Sequence, residues 1–207
     1  MVVVLIDGEF LRKVYKNKSS SDSKIDIFKL IDKVLSEIGL DRKNLLRVYY
    51  YTAPPYKSNP PTKEEEEKYK RWKRFIDRIK NGRINIDIRL GKLKRISENE
   101  YEQKMVDVLM SIDLVHFSSN PRINKIIFIA GDDDYVPAVK RAKDNGVKIY
   151  LFYTEENTGK DLKKEVDERV LIDEDFIKEI TQDKEQKEKQ DGDDNEGEKS
   201  TDSSSDN

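Results

Sequence analysis

Cysteine is absent from this 207-residue chain. That excludes disulfides and thiolate metal sites. Histidine is nearly absent, with His116 alone. It sits late in a predicted helix and reads as a structural or surface residue, which argues against His-dependent triads and His-pair transesterification. Neither G-x-x-x-x-G-K-[ST] nor G-x-G-x-x-G occurs, so the usual phosphate-cradling loops are missing. Long apolar runs are missing too. The opening MVVVLIDGEF has a five-residue apolar run after Met1 and no basic region. It reads as neither a signal peptide nor a membrane span, and no later segment is long enough to span. The expectation is a cytoplasmic protein with no membrane partner.

Charge is abundant but unevenly placed. Apolar residues make up 35% and charged residues 40%. Residues 182–207 hold ten acidic residues against four lysines, a net of −6, so the other 181 residues carry +4 within the total of −2. This tail has no apolar residue, and disorder is expected there. The segment from Lys68 to Arg95 holds twelve Lys/Arg against Asp77 and Asp87. Such a concentration is the footprint of a polyanion partner.

The apolar residues cluster in short runs. Val2–Ile6, Leu45–Tyr51, Ile84–Leu90, Lys125–Ala130 and Lys148–Phe152 read as strands. Helical spacing lies between them, over 25–38, 64–80, 100–117 and 135–144, with a last helix after Asp173 ending near Ile180. Residues 16–24 and 53–63 read as loops. Strand–helix alternation predicts an α/β domain over 1–180, a mainly parallel sheet between two helical layers, followed by the acidic tail from 181 to 207. The YYY run at 49–51 reads either as core or as a homodimer surface.

Ligands of an open parallel sheet bind beyond the carboxyl ends of its strands. Asp7 follows the first strand, and Gly131, Asp132, Asp133 and Asp134 follow the fourth. Asp107 lies between Val106 and Val108 in an otherwise apolar helix, with Lys104 about 60° away around it. Several carboxylates at one edge are costly to ionise without compensating positive charge. A hard divalent cation, Mg²⁺ or Mn²⁺, is the natural counter-charge for oxygen ligands. Each residue also has a plain structural role open to it. Asp132 or Asp133 can cap the helix at 135, although one helix has one N-cap and cannot use all three. Asp7 with Gly8 can be a simple turn, and Asp107 can pair with Lys104. Asp113, roughly 240° from Asp107 around the helix, reads as structural.

The blocks VVVLIDGEFLRK, RVYYYTAP, IDIRLGKLKR, QKMVDVLMSIDLV and IFIAGDDDYVPAVKRAKDNGVKIYLF, in that order, resemble NYN-domain proteins of the LabA-like group. DLKKEVDERVLID resembles the block that closes the domain. The resemblance implies a PIN-like fold and divalent-metal-dependent RNA phosphodiester cleavage. Carried over by position, it implies Asp7, Asp107, Asp132 and Asp134 as the catalytic and metal-binding set, with Lys104 and Asp113 nearby. Two positions depart from it. Phe10 stands where many relatives carry Asn, and Ala130 where many carry Ser or Thr. Loss of such orienting groups typically costs about 10–100-fold.

In this reading two divalent ions activate water and clamp the phosphate, with no need of histidine. RNA, single-stranded or structured, is the expected partner. Lys92, Lys94 and Arg95, which follow a strand through Gly91, and Arg71 and Arg74 on the 64–80 helix are its candidate contacts; that helix is otherwise a solvated charged face. A nucleic-acid-binding regulatory protein with little catalysis is the alternative from another class. A DNA-directed nuclease or a phosphatase-type hydrolase fits the acidic edge less specifically.

Overall fold

The computed structural model describes residues 1–18, 24–95 and 101–182. The expected tail lies outside them except for its first two residues, Thr181 and Gln182, which pair with Ile25 and Lys24 as a short strand and so extend the domain past 180; the centre of the predicted 16–24 loop also lies outside. In chain order the elements are β1 (Val2–Asp7), α1 (Gly8–Lys18), β2 (Lys24–Ile25), α2 (Ile27–Glu37), β3 (Leu45–Thr52), α3 (Lys63–Lys80) and β4 (Ile86–Leu90). Then come β5 (Lys92–Arg95), β6 (Tyr101–Lys104), α4 (Val106–Ser118) and β7 (Lys125–Ile129). A 3-10 turn (Asp133–Tyr135) leads into α5 (Val136–Asp144), followed by β8 (Lys148–Tyr153), α6 (Lys160–Glu165), β9 (Glu168–Leu171), α7 (Glu174–Glu179) and β10 (Thr181–Gln182).

Six strands form one sheet in the order β4-β3-β1-β7-β8-β9, and every neighbouring pair is parallel. The chain builds outward from β1 to β4, then returns to build outward from β7 to β9. Strand order therefore reverses between β1 and β7, where an open α/β sheet forms its crevice.

Period-two alternation assigns the faces. Val2, Val4 and Ile6 of β1 join a core with residues of α1, α2, α3 and α7. Val3 and Leu5 join the opposite core, with residues of α4, α5 and α6. This is the expected three-layer α/β/α architecture. By the same alternation Asp7 falls on the α4 side. Tyr49, Tyr50 and Tyr51 are 8%, 6% and 0% exposed, so the YYY run is core.

Two expectations about local structure are corrected. The first strand runs directly into α1 rather than into a loop. Asp7 is the reason: its Oδ1 accepts the Glu9 and Phe10 amides at 2.9 and 3.1 Å, as an N-cap does. Phe10, Leu11 and Val14 then bury one face of the helix. The helix expected from residue 100 instead begins at Val106. Before it, β6 pairs antiparallel with β5, and Met105 turns the chain at φ 73°. Gly91 lets this hairpin approach, because a Cβ there would lie 2.6 Å from the Lys104 carbonyl oxygen. Lys104 thus sits on a strand, and the helical relation expected between it and Asp107 does not hold. Among the described residues no helix is long and apolar enough to cross a membrane.

Candidate active site at the sheet reversal

A cleft of about 1300 Å³ opens at the carboxyl ends of β1 and β7. Asp7, Asp107, Asp132 and Asp133 line it, together with Arg71, Trp72, Phe75 and Arg78 of α3.

Asp7 is only 8% exposed. One carboxylate oxygen is held by the two α1 amides, and the other lies 3.5 Å from the Tyr135 hydroxyl. That hydroxyl donates to Asp107 Oδ1 at 2.8 Å. Among the described residues no Lys or Arg forms an ion pair with Asp7, Asp107 or Asp132. Burial raises the Asp7 carboxyl to about 6; the α1 amides oppose the rise, and the charges of Asp107 and Glu9 add to it. Burial likewise raises the Tyr135 hydroxyl, with Asp7 and Asp107 adding to the effect. Tyr135 therefore stays a donor.

The three consecutive aspartates separate. Asp132 lines the cleft while its Oδ1 caps the 3-10 turn through the Asp134 amide at 3.0 Å. Asp133 also reaches the cleft, but its Oδ1 accepts the Leu162 amide at 2.8 Å. It serves as the cap of α6, whose own N-cap position is Gly159 and has no side chain. A Cβ at Gly159 would lie 2.0 Å from Asp133 Oδ1. Two of the three aspartates thus cap helical turns, each a different one, because the second turn, α6, comes from elsewhere in the chain. Asp134 is exposed and opens onto a separate shallow groove with Ile112, Val115, His116 and Pro137. The structure does not bring it into the cleft.

Asp113 lies elsewhere. The buried row of α4 is Val106, Met110, Leu114 and Phe117. At 100° per residue Asp107 and Asp113 flank that row by roughly 60° on opposite sides. Asp113 faces β3 and β4, where it accepts the Tyr51 hydroxyl at 2.8 Å and pairs with Arg89 at 2.9 Å. Its observed partners are thus groups of the sheet, on a face turned away from Asp107.

The predicted nucleic-acid contacts divide as well. Arg71 lines the cleft and Arg74, though exposed, does not. On the hairpin it is Leu93 that reaches the cleft, while Lys92 and Lys94 are exposed beside it. The Arg95 side chain lies outside the described part of the structure. Arg12, Lys13 and Arg78 line the cleft without having been singled out. Recognising α1 as a helix would have pointed to the first two.

A profile of the NYN domain matches residues 1–174. The chain belongs to the NYN domain family. This is a PIN-like, nuclease-type family, and such nucleases typically use divalent metals. Over 71 residues the NYN chain is 32% identical to an uncharacterised protein of Methanocaldococcus jannaschii. The match covers 34% of this chain and spans 30% of that relative's length. The fold is similar to the crystal structure of a protein of unknown function from Vibrio parahaemolyticus, with a TM-score of 0.56 at 16% identity, covering 85% of this chain and 95% of that one.

Among the described residues no group of three carboxylate or imidazole side chains is disposed to hold a metal ion. The donors at the cleft are nevertheless all hard oxygens. The Asp7–Asp107 pair is bridged by a neutral hydroxyl, and none of the ion pairs among the described residues includes either carboxylate. Mg²⁺ commonly binds through one or two carboxylates, keeps its waters and takes further oxygens from a substrate phosphate. The residues present fit that mode of binding.

Proposed function

We propose that this NYN domain is a divalent-metal-dependent ribonuclease of the LabA-like group, using Mg²⁺ or Mn²⁺ to hydrolyse RNA phosphodiester bonds. One observation carries the reading. Asp7 is a buried carboxylate at the sheet reversal, with one oxygen fixed by amides and, among the described residues, no ion pair to a Lys or Arg. Asp7 and Asp107 would hold the ion, with Asp132 at the same edge. Tyr135 orients Asp107 through its hydroxyl. When bound, the ion supplies activation of water and neutralisation of the phosphate charge. The cations of α1 and α3 draw the polyanion into the cleft.

The test is cleavage of a labelled single-stranded RNA and a matched DNA in Mg²⁺, Mn²⁺ and EDTA, by the wild type and Asp7→Asn. Metal-dependent RNA cleavage, lost on substitution, is the expected result. Cleavage that persists in EDTA, or is unchanged by the substitution, contradicts the reading; preference for DNA would redirect it to that substrate. A second reading, a nucleic-acid-binding protein with little catalysis, is favoured by the missing three-donor group among the described residues. RNA binding without cleavage in any metal would establish it.

A further inference from the structure

The α3 lining of the cleft has a different chemistry. The spacing of α3 assigns Trp72, Phe75, Ile76 and Ile79 to the core, but only Ile76 and Ile79 are buried. Trp72 and Phe75 are half-buried: each packs against the core on one side and lines the cleft as well. The Trp72 indole nitrogen is covered from solvent and has no hydrogen-bond partner, the one such side-chain atom among the described residues. An unsatisfied buried donor is costly and calls for a partner. Phe75 is held edge-on by Tyr50 at 5.7 Å between centroids. Cations flank the pair. The Arg78 guanidinium lies 5.9 Å from the Phe75 ring, and Arg71 has only a long 4.0 Å contact with Glu67. Arg12, by contrast, is bound through two hydrogen bonds to Glu9.

We propose that Trp72 and Phe75 form a nucleobase subsite for an unpaired nucleotide, with Arg71 and Arg78 meeting the adjoining phosphates. This rests on the nucleic-acid reading above and gives the substrate its class, a single strand. An aromatic face accepts any base, but only a base that has left its duplex stack. The arrangement spans the cleft: base on the aromatic wall, backbone across the basic residues, and the next phosphodiester toward Asp7 and Asp107. The indole N–H becomes a donor for the bound nucleotide once the ring adjusts to the stack.

Trp72 is the only tryptophan in the chain, so its emission reports this wall alone. The full-length Asp7→Asn protein in Mg²⁺ keeps the RNA intact during titration. The probes are a labelled six-nucleotide oligouridylate and a blunt RNA duplex of equal length. Saturable quenching of Trp72 that tracks the anisotropy of the single strand, and is absent with duplex, is expected. Trp72→Leu should weaken single-strand binding about 5- to 150-fold, as expected for one base–aromatic stack. Arg71→Gln, at an exposed position, should lower the magnitude of the salt slope by about 0.7. RNA bound with unchanged emission, and equally well by Trp72→Leu and Arg71→Gln, overturns the subsite while leaving the nuclease reading intact. Equal quenching by duplex also overturns it. Failure of the wild type to cleave or bind any RNA removes both.

Discussion

Two aspartates on opposite flanks of α4 are each held in a pair by a tyrosine from another element. In one, the buried Tyr51 hydroxyl donates to Asp113 at 2.8 Å, and Arg89 completes the group. In the other, the buried Tyr135 hydroxyl donates to Asp107 at the same distance, and the third member is Asp7. One corner is neutralised by a fixed cation. The other places two carboxylates around a neutral phenol, one of them nearly buried. The first needs nothing more from its surroundings. The second stays costly until positive charge arrives, and it is the one that opens into the cleft.

The largest expected effect follows from Asp7→Asn. The amide oxygen can still cap α1, so the fold should survive. If Asp7 holds the proposed ion, its loss removes several kcal/mol of charge stabilisation, so kcat/KM for RNA should fall by about 10³-fold. Single-turnover cleavage measures it, and a loss under about tenfold would remove Asp7 from the centre.

Next is the pH dependence of stability without metal. The Asp7 carboxyl is raised from 3.8 to about 6 in the folded state, so the folded protein binds this proton more tightly than the unfolded chain. Its contribution is therefore most favourable below about pH 4 and is lost as pH rises through 6. The change amounts to about 3 kcal/mol. Denaturation in EDTA at pH 4 to 8 should show this fall in the wild type and not in Asp7→Asn. Parallel curves would contradict the desolvation account.

The two phenols sharpen the comparison. Tyr135→Phe leaves Asp107 without its donor and should lower cleavage by about 10–100-fold, as losing an orienting partner does. Tyr51→Phe removes the same hydrogen bond from the neutralised corner. It should cost about 1 kcal/mol of stability and leave the rate of the folded protein unchanged. Equal catalytic effects would erase the distinction. The smallest effect belongs to Asp134→Asn. That carboxylate opens onto the other groove, so turnover should stay within about twofold and stability within about 0.5 kcal/mol.

The sheet was legible because its strands are short, almost continuously apolar and separated by helical spacing. Leu45–Tyr51 and Lys148–Phe152 each fell within one residue of the observed strand. The short β9 escaped because its ERVL opens on two charged residues, is exposed except at Val170 and carries no long apolar run. Helix α1 escaped because Asp7 both ends the strand and caps the helix, leaving no loop to mark the boundary. The aspartates were legible as a group but not individually. Asp132 and Asp133 double as caps because two helical turns need amide partners at one strand end, and the second turn, α6, is distant in sequence. The α3 face was read correctly but incompletely: periodicity places Trp72 and Phe75 on the inner face, where they pack against the core, without showing that they also line a cleft.

The most direct measurement is the melting temperature at pH 7 with and without Mn²⁺, for the wild type, Asp7→Asn and Asp113→Asn. An ion that binds the Asp7–Asp107 corner at a hundred times its Kd stabilises the fold by about 2.7 kcal/mol. For a chain of this size that is a rise of about 5–10 °C. The rise should appear in the wild type and in Asp113→Asn, and vanish in Asp7→Asn. No shift in any protein, or the same shift in all three, would contradict the claim that the corner lacking an arginine is completed by a divalent ion.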